Sequence, residues 1–345
     1  MSVNSSVYSG KEFALYIAPD ETTVGTFNTT AGDYKKLDLD SMAFPNFNPT
    51  QEFEMRTGTG RIASQDSMFT TDKGVVREAT MTGRLTDDVI AILLPNVLGK
   101  AATASEIAIP NNHSPETIAD GDTIVAGNAQ TLSLYFYSPI ADEGIKMSGC
   151  VCTSFEISAD MGSASGRFTF TATVQTGYMP VKEDLTMTSS TSTTKYYLSD
   201  MVEKTITDST EDWDEIEPLI KTLAFKVNGS AQMLGMQGTN GDPEVIARQV
   251  PELEVTYDLG LKYDDSTAPL IEEYRKTDQN IAFYISDDAE DDDEFGSSAS
   301  GLGIDINQSV ITAADFDGGD IAGINLSAKV TAGSTPGDEA FAIRF

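Results

Sequence analysis

The sequence predicts a mainly β protein made of two successive copies of one unit, each carrying a single short helix. Three observations support this. Residues 168–177 (FTFTATVQTG) and 324–333 (INLSAKVTAG) alternate apolar and polar side chains and each end on a glycine. A strand pattern running into a helix start occurs twice, as GRLTDD at 83–88 and GLKYDD at 260–265. The segments around these matches also follow one another in the same order.

Period-two alternation marks a strand with one buried face. In the first stretch Phe168, Phe170, Ala172 and Val174 share a face, opposite Thr169, Thr171, Thr173 and Gln175. In the second, Ile324, Leu326, Ala328 and Val330 lie opposite Asn325, Ser327, Lys329 and Thr331. The closing glycines suit a turn, where a side chain would restrict the backbone.

Residues 12–17 and 34–39 read as a hairpin, and 44–74 as a long loop rich in Pro, Asn and Gly without regular pattern. A strand follows at 75–85, then a helix with Thr86 as N-cap, Asp87 and Asp88 in its first turn, and Val89, Ile90, Leu93 and Leu94 as its apolar stripe. Pro95 lacks an amide hydrogen, so the helix is expected to loosen or end there. In the second copy, 223–227 is a short strand, 233–248 a loop and 253–262 an alternating strand. A helix is expected to start near 264–269, with Leu270, Ile271 and Tyr274 on one face and Glu272 and Lys276 at ion-pair spacing. Residues 131–137 are answered by 281–285, and 151–157 by 304–310. The implied division is a first unit at 1–183, a connector at 184–215 and a second unit at 216–345. The connector opens with a Ser/Thr run, a composition that builds no core.

The net charge is −32, and the acidity is spread over both halves. Such a chain is not expected to wrap nucleic acid, whose phosphates attract a basic surface; solubility or a saline habitat would also account for it. No apolar run reaches the ~20 residues of a membrane span, and the start of the chain reads as a cytoplasmic translation start, so no membrane association is expected. The lone histidine, His113, sits in a polar loop, and no G-x-S-x-G elbow accompanies it. Cys150 and Cys152 are two apart on one probable strand, poor geometry for a disulfide, and read as buried thiols. The acidic run at 286–296 lacks the glycine and oxygen spacing of an EF-hand and reads as a solvated loop; 315–320 (DFDGGD) reads as a turn. No phosphate-binding glycine loop is present. Catalytic, cofactor and metal sites are therefore all expected to be absent.

The runs VVREATMTGRLTDDVIAILL and CVCTSFEISADMGSASGRFTFTATVQTGYMP, with the long loop between early strands and one short helix per unit, resemble the tail tube proteins of long-tailed bacteriophages. The resemblance implies tandem β-sandwich units, each flanked by a short helix, whose inner sheets form a shared β-barrel channel on oligomerisation. Single-unit members form hexamers, so a duplicated chain would close a pseudo-sixfold ring as a trimer. It further implies a location in the virion, stacking of rings into a tube, passage of DNA and a tape-measure protein through the lumen, and tail-terminator and tail-tip proteins at the ends. Under that reading Glu78, Glu252, Glu254 and Asp258, acids on alternating strands, are candidates for the lumen wall. Alternatives are a tail-tip or tail-terminator ring of the same fold, or an extracellular β-sandwich module binding carbohydrate with calcium.

Overall fold

Alternating sequence becomes antiparallel ladder nearly throughout. The computed structural model describes residues 13–20, 22–43, 45, 50–53, 68–71, 76–100, 102–103, 105–113, 131–139, 142–162, 166–187, 197, 201, 203–208, 216–229, 253–276, 280–287, 301–318 and 321–345. In chain order the elements are β1 (Ala14–Pro19), β2 (Lys35–Lys36), β3 (Leu39–Ala43), β4 (Thr50–Phe53), β5 (Met68–Thr71), β6 (Arg77–Arg84), α1 (Asp87–Leu98), β7 (Glu106–Pro110), β8 (Leu132–Ser138), β9 (Glu143–Asp160), β10 (Thr169–Thr176) and β11 (Val181–Glu183). They continue with β12 (Glu203–Asp208), β13 (Ile220–Asn228), β14 (Glu254–Lys262), α2 (Pro269–Glu273), β15 (Ile281–Ser286), β16 (Gly303–Asp317), β17 (Gly323–Val330) and β18 (Glu339–Arg344). Among the described residues, 16 strands join one open antiparallel sheet, not closed into a barrel, and β4 and β5 pair separately. No described helix is long and apolar enough to cross a membrane.

The pairing order repeats. From β3 the ladder runs β3-β6-β10-β9-β8-β1; from β13 it runs β13-β14-β17-β16-β15-β12. The long strands β9 and β16 each change partners part way along. β9 pairs with β8 up to Cys150 and with β10 from Val151 onward; β16 pairs with β15 up to Ser309 and with β17 from Ser309 onward. Short β11 lies on the first part of β9 as β18 lies on the first part of β16. The two ladders join where β13 pairs with the second part of β9; β7 pairs with β18 and, among the described strands, with no member of the first ladder.

The dry face of the sheet packs into one continuous cluster that includes Leu15, Phe136, Phe155 and Phe170 from the first ladder and Phe225, Leu259, Phe283 and Phe341 from the second. Helix α1 contributes Val89, Ile90, Leu93, Leu94 and Val97 to it. Across β1 and β8, the opposite side carries a second cluster with Tyr16, Phe27, Tyr34, Tyr135 and Tyr137.

Several expectations need correction. Helix α1 runs through Pro95 to Leu98 and ends at Gly99 in the left-handed region (φ 66°), because the last turn is buried and capped rather than solvated. Helix α2 is only five residues long; it buries Leu270 and Glu273 while Tyr274 is exposed, and Lys276 pairs with Glu273 at 2.8 Å instead of Glu272. Asp264 precedes this helix in a turn, accepting hydrogen bonds from the Ser266 and Thr267 amides, so the two Asp-Asp pairs are not equivalent helix starts. Strand pairing aligns Gly83 with Leu259, since both stand beside the matched pair Phe170 and Leu326. The GRLTDD–GLKYDD match is thus one residue out of register, enough to reverse every face in a strand. Residues 315–317 are strand, not turn, and the loop expected at 44–74 contains the β4–β5 pair. Residues 203–208, assigned to a connector, form β12 and pair along β15, while Tyr197 and Met201 are buried in the core.

Candidate functional site

The other face of the long sheet is wet, and its composition follows from alternation. Along β6, β10, β9, β13, β14 and β17 the inward apolar residues alternate with outward residues that are mostly hydroxyl, amide or charged, Ala224 and Gly260 being exceptions. Straight rows cross the strands. One row runs Thr82, Thr171, Glu156, Lys226, Thr256, Lys329; the next runs Arg84, Thr169, Ser158, Ala224, Asp258, Ser327. Neighbouring hydroxyls hydrogen-bond directly: Thr82 Oγ1 with Thr171 Oγ1 at 3.3 Å, and Ser158 Oγ with Thr169 Oγ1 at 3.0 Å.

Three of the four expected wall acids lie on this face. Glu78 accepts from Gln175 Nε2 at 2.9 Å, Glu254 accepts from Lys329 Nζ at 2.9 Å, and Asp258 accepts from the Ser327 hydroxyl. The Lys329 hydrogen bond, then its charge, holds the Glu254 carboxyl below the usual range. Glu252 lies outside the described residues. Glu156, directly opposite Lys226, is a fourth described acid on the face that sequence reasoning passed over. Its alternation with Phe155 and Ile157 was the available signal. The surface is thus hydroxyl-rich, with acids partly matched by Arg84, Lys226 and Lys329. A shallow depression crosses it between Asp160, Thr222, Asp258 and Asn325.

His113 Nε2 is 2.8 Å from the Leu98 carbonyl oxygen at the end of α1, where a backbone acceptor would otherwise lack a partner. Cys150 and Cys152 are buried and unlinked, and burial raises the Cys150 thiol pKa well above its usual value. The acidic run beyond Asp287, at 288–296, lies outside the described residues. One group was missed from sequence altogether. Asp20 is 3% exposed, and its carboxylate accepts from Ser133 Oγ (2.6 Å), Thr131 Oγ1 (2.7 Å) and the amides of Gly25 and Gly149 (both 3.0 Å). Burial pushes its pKa up to about 6 despite these four donors. It ties the loop after β1 to β8 and to the bend of β9.

No known protein-family model matches this chain, and no curated protein matches it in sequence.

Proposed function

We propose that this chain is a non-enzymatic structural subunit that assembles into rings and stacks as a phage-type tail tube, the wet sheet face lining the bore. In this reading residues 14–183 and 203–344 are two sandwich-like units, and three chains make a pseudo-sixfold ring. Its terminal partners would be tail-tip and terminator proteins, with a tape-measure protein and then DNA inside. The observation that carries it is the twofold repeat of one pairing order, laid side by side in a single sheet with a dry face and a continuous polar face.

The dimensions are compatible. Each chain would give the wall eight strands, β3-β6-β10-β9 and β13-β14-β17-β16. Three chains at about 4.8 Å per strand span about 115 Å of circumference, or about 37 Å in diameter before strand tilt widens it. Side chains on both walls still leave room for a nucleic-acid duplex. Threonine and serine hydroxyls stay hydrated, and a face on which Glu78, Glu156, Asp160, Glu254, Asp258 and Asp315 outnumber Arg84, Lys226 and Lys329 gives phosphates little to bind by counterion release.

Electron microscopy of the purified protein tests the proposal. Stacked rings or tubes with a stain-filled bore are expected, and monomers at every concentration and salt would overturn it.

A further inference from the structure

The repeat leaves one strand position filled in the first ladder and empty, among the described residues, in the second. The second part of β9 is paired on both sides, by β10 and by β13. The matching part of β16 pairs with β17 on one side, and no described strand pairs with residues 313–316 on the other. At the far end of the sheet β3 has the converse problem. It matches β13, since Leu39 stands beside Gly83 as Leu223 stands beside Leu259, but among the described strands only β6 pairs with it. Among the described residues the chain therefore carries one made joint, β9 with β13, and the two halves of another.

We propose that the β16 edge receives β3 of a second copy of this chain, antiparallel, in the register of the β9–β13 joint. The proposal rests on the assembly reading above and specifies which edges meet. Within the chain, Leu223 faces Ala159, Ala224 faces Ser158, Phe225 faces Ile157 and Lys226 faces Glu156. The matched positions are read through β10 and β17. There Ser158, Ile157 and Glu156 lie beside Thr169, Phe170 and Thr171, as Asp315, Ala314 and Ala313 lie beside Asn325, Leu326 and Ser327. The joint between copies then sets Leu39 opposite Phe316, Ser41 opposite Asp315, Met42 opposite Ala314 and Ala43 opposite Ala313.

Three features of the surface agree with this occupant. Both edges present the same faces. Leu39, Met42 and Ala314 are half-buried against the core, while Ser41 and Asp315 are exposed. Side-chain sizes compensate: the internal joint sets Ile157 against Phe225 and Ala159 against Leu223, and the joint between copies sets Ala314 against Met42 and Phe316 against Leu39. Finally, Phe316 is 59% exposed, resting edge-on against Tyr263 with ring centres 5.3 Å apart, and Ile321 is 74% exposed. An apolar side chain at the open edge of a long sheet invites strand addition, and Leu39 of the neighbour would cover it. The contact is head-to-tail, so it propagates into a ring or a filament and does not stop at a dimer.

Cysteine cross-linking tests the register, since both native thiols are buried. Full-length single variants Ser41→Cys and Asp315→Cys are mixed and oxidised with copper phenanthroline. The mixture should give a covalent dimer, and the double variant a ladder of multiples. The slipped pair Ser41→Cys with Ala314→Cys, whose side chains would lie on opposite faces, should give at least tenfold less. Ala314→Pro, which removes an edge amide, should leave the far-ultraviolet dichroism unchanged and abolish the oligomer in sedimentation. Rings or tubes that form without the Ser41–Asp315 cross-link would overturn the edge assignment while leaving the assembly reading intact. Cross-linked multiples without tubes would support the edge assignment and remove the tail-tube reading. Monomers throughout would overturn both.

Discussion

At the scale of single residues, the group around Asp20 is the most consequential one that carries no sequence motif. Gly25 and Gly149 both adopt positive φ (82° and 59°), and both donate their amides to the Asp20 carboxylate. A Cβ on either would fall 2.2–2.3 Å from the Tyr178 ring or its hydroxyl, so the two glycines also form the seat of that tyrosine. Gly149→Ala therefore combines left-handed strain with overpacking, and we expect it to destabilise by at least about 2 kcal/mol in urea unfolding. The Asp20 pKa lies above its unfolded value, so the native state holds this proton more tightly. Stability from the protonated form is full below about pH 4 and is lost as pH rises through about 6. The shift corresponds to about 3 kcal/mol. Asp20→Asn removes the titration. Its amide faces donors and lowers overall stability, but between pH 4 and 7 the wild-type Tm should fall relative to the variant. Parallel pH profiles would contradict the assignment.

At the scale of elements, α1 shows how packing outweighs propensity. Its N-terminus follows sequence rules: Thr86 Oγ1 accepts from the Val89 amide at 3.3 Å. Its C-terminus does not stop at Pro95, because Asn96 has a ladder position to fill. Strand β13 ends opposite Ser154, and two residues earlier the Cys152 amide donates to Asn96 Oδ1 at 2.6 Å. The helix thus continues an edge where the strand gives out. Asn96→Leu keeps the bulk but orphans a buried amide; a loss of about 1–3 kcal/mol in thermal or urea unfolding is expected. Much of the fold at this scale was legible in the sequence. The alternation of β10, β14 and β17 placed Phe170, Leu259 and Leu326 inside, as found. Strand β12 was illegible because its surroundings are Ser/Thr-rich and acidic; it is held by pairing with β15, and pairing leaves no local signature. The one-residue error between GRLTDD and GLKYDD has the same origin, since register is a property of two strands.

For the whole molecule, the wet face is where charge should matter. Glu78, Glu254 and Asp258 reach it from β6 and β14 of the two ladders. If the face lines a bore, the assembled wild-type protein should not retain duplex DNA in filter binding at low salt. The triple variant with Lys at these positions should retain it, with affinity falling steeply as salt rises. Unchanged DNA retention in an assembled triple variant would place the face outside the bore. The acids alone were visible from alternation. Their setting was not: Lys329 beside Glu254 and Ser327 beside Asp258 come from a strand about seventy residues away.

What the sequence determined by itself was the β character, the duplicated order of its elements, and which side of most strands is dry, because those depend on the period of the side chains along one strand. Only the tertiary structure decided which strands are neighbours, in what register, and which edges have no described partner strand. It also decided that Asp20 is buried among four donors. Each of these depends on contacts between residues far apart in the chain, where neither composition nor spacing carries the information.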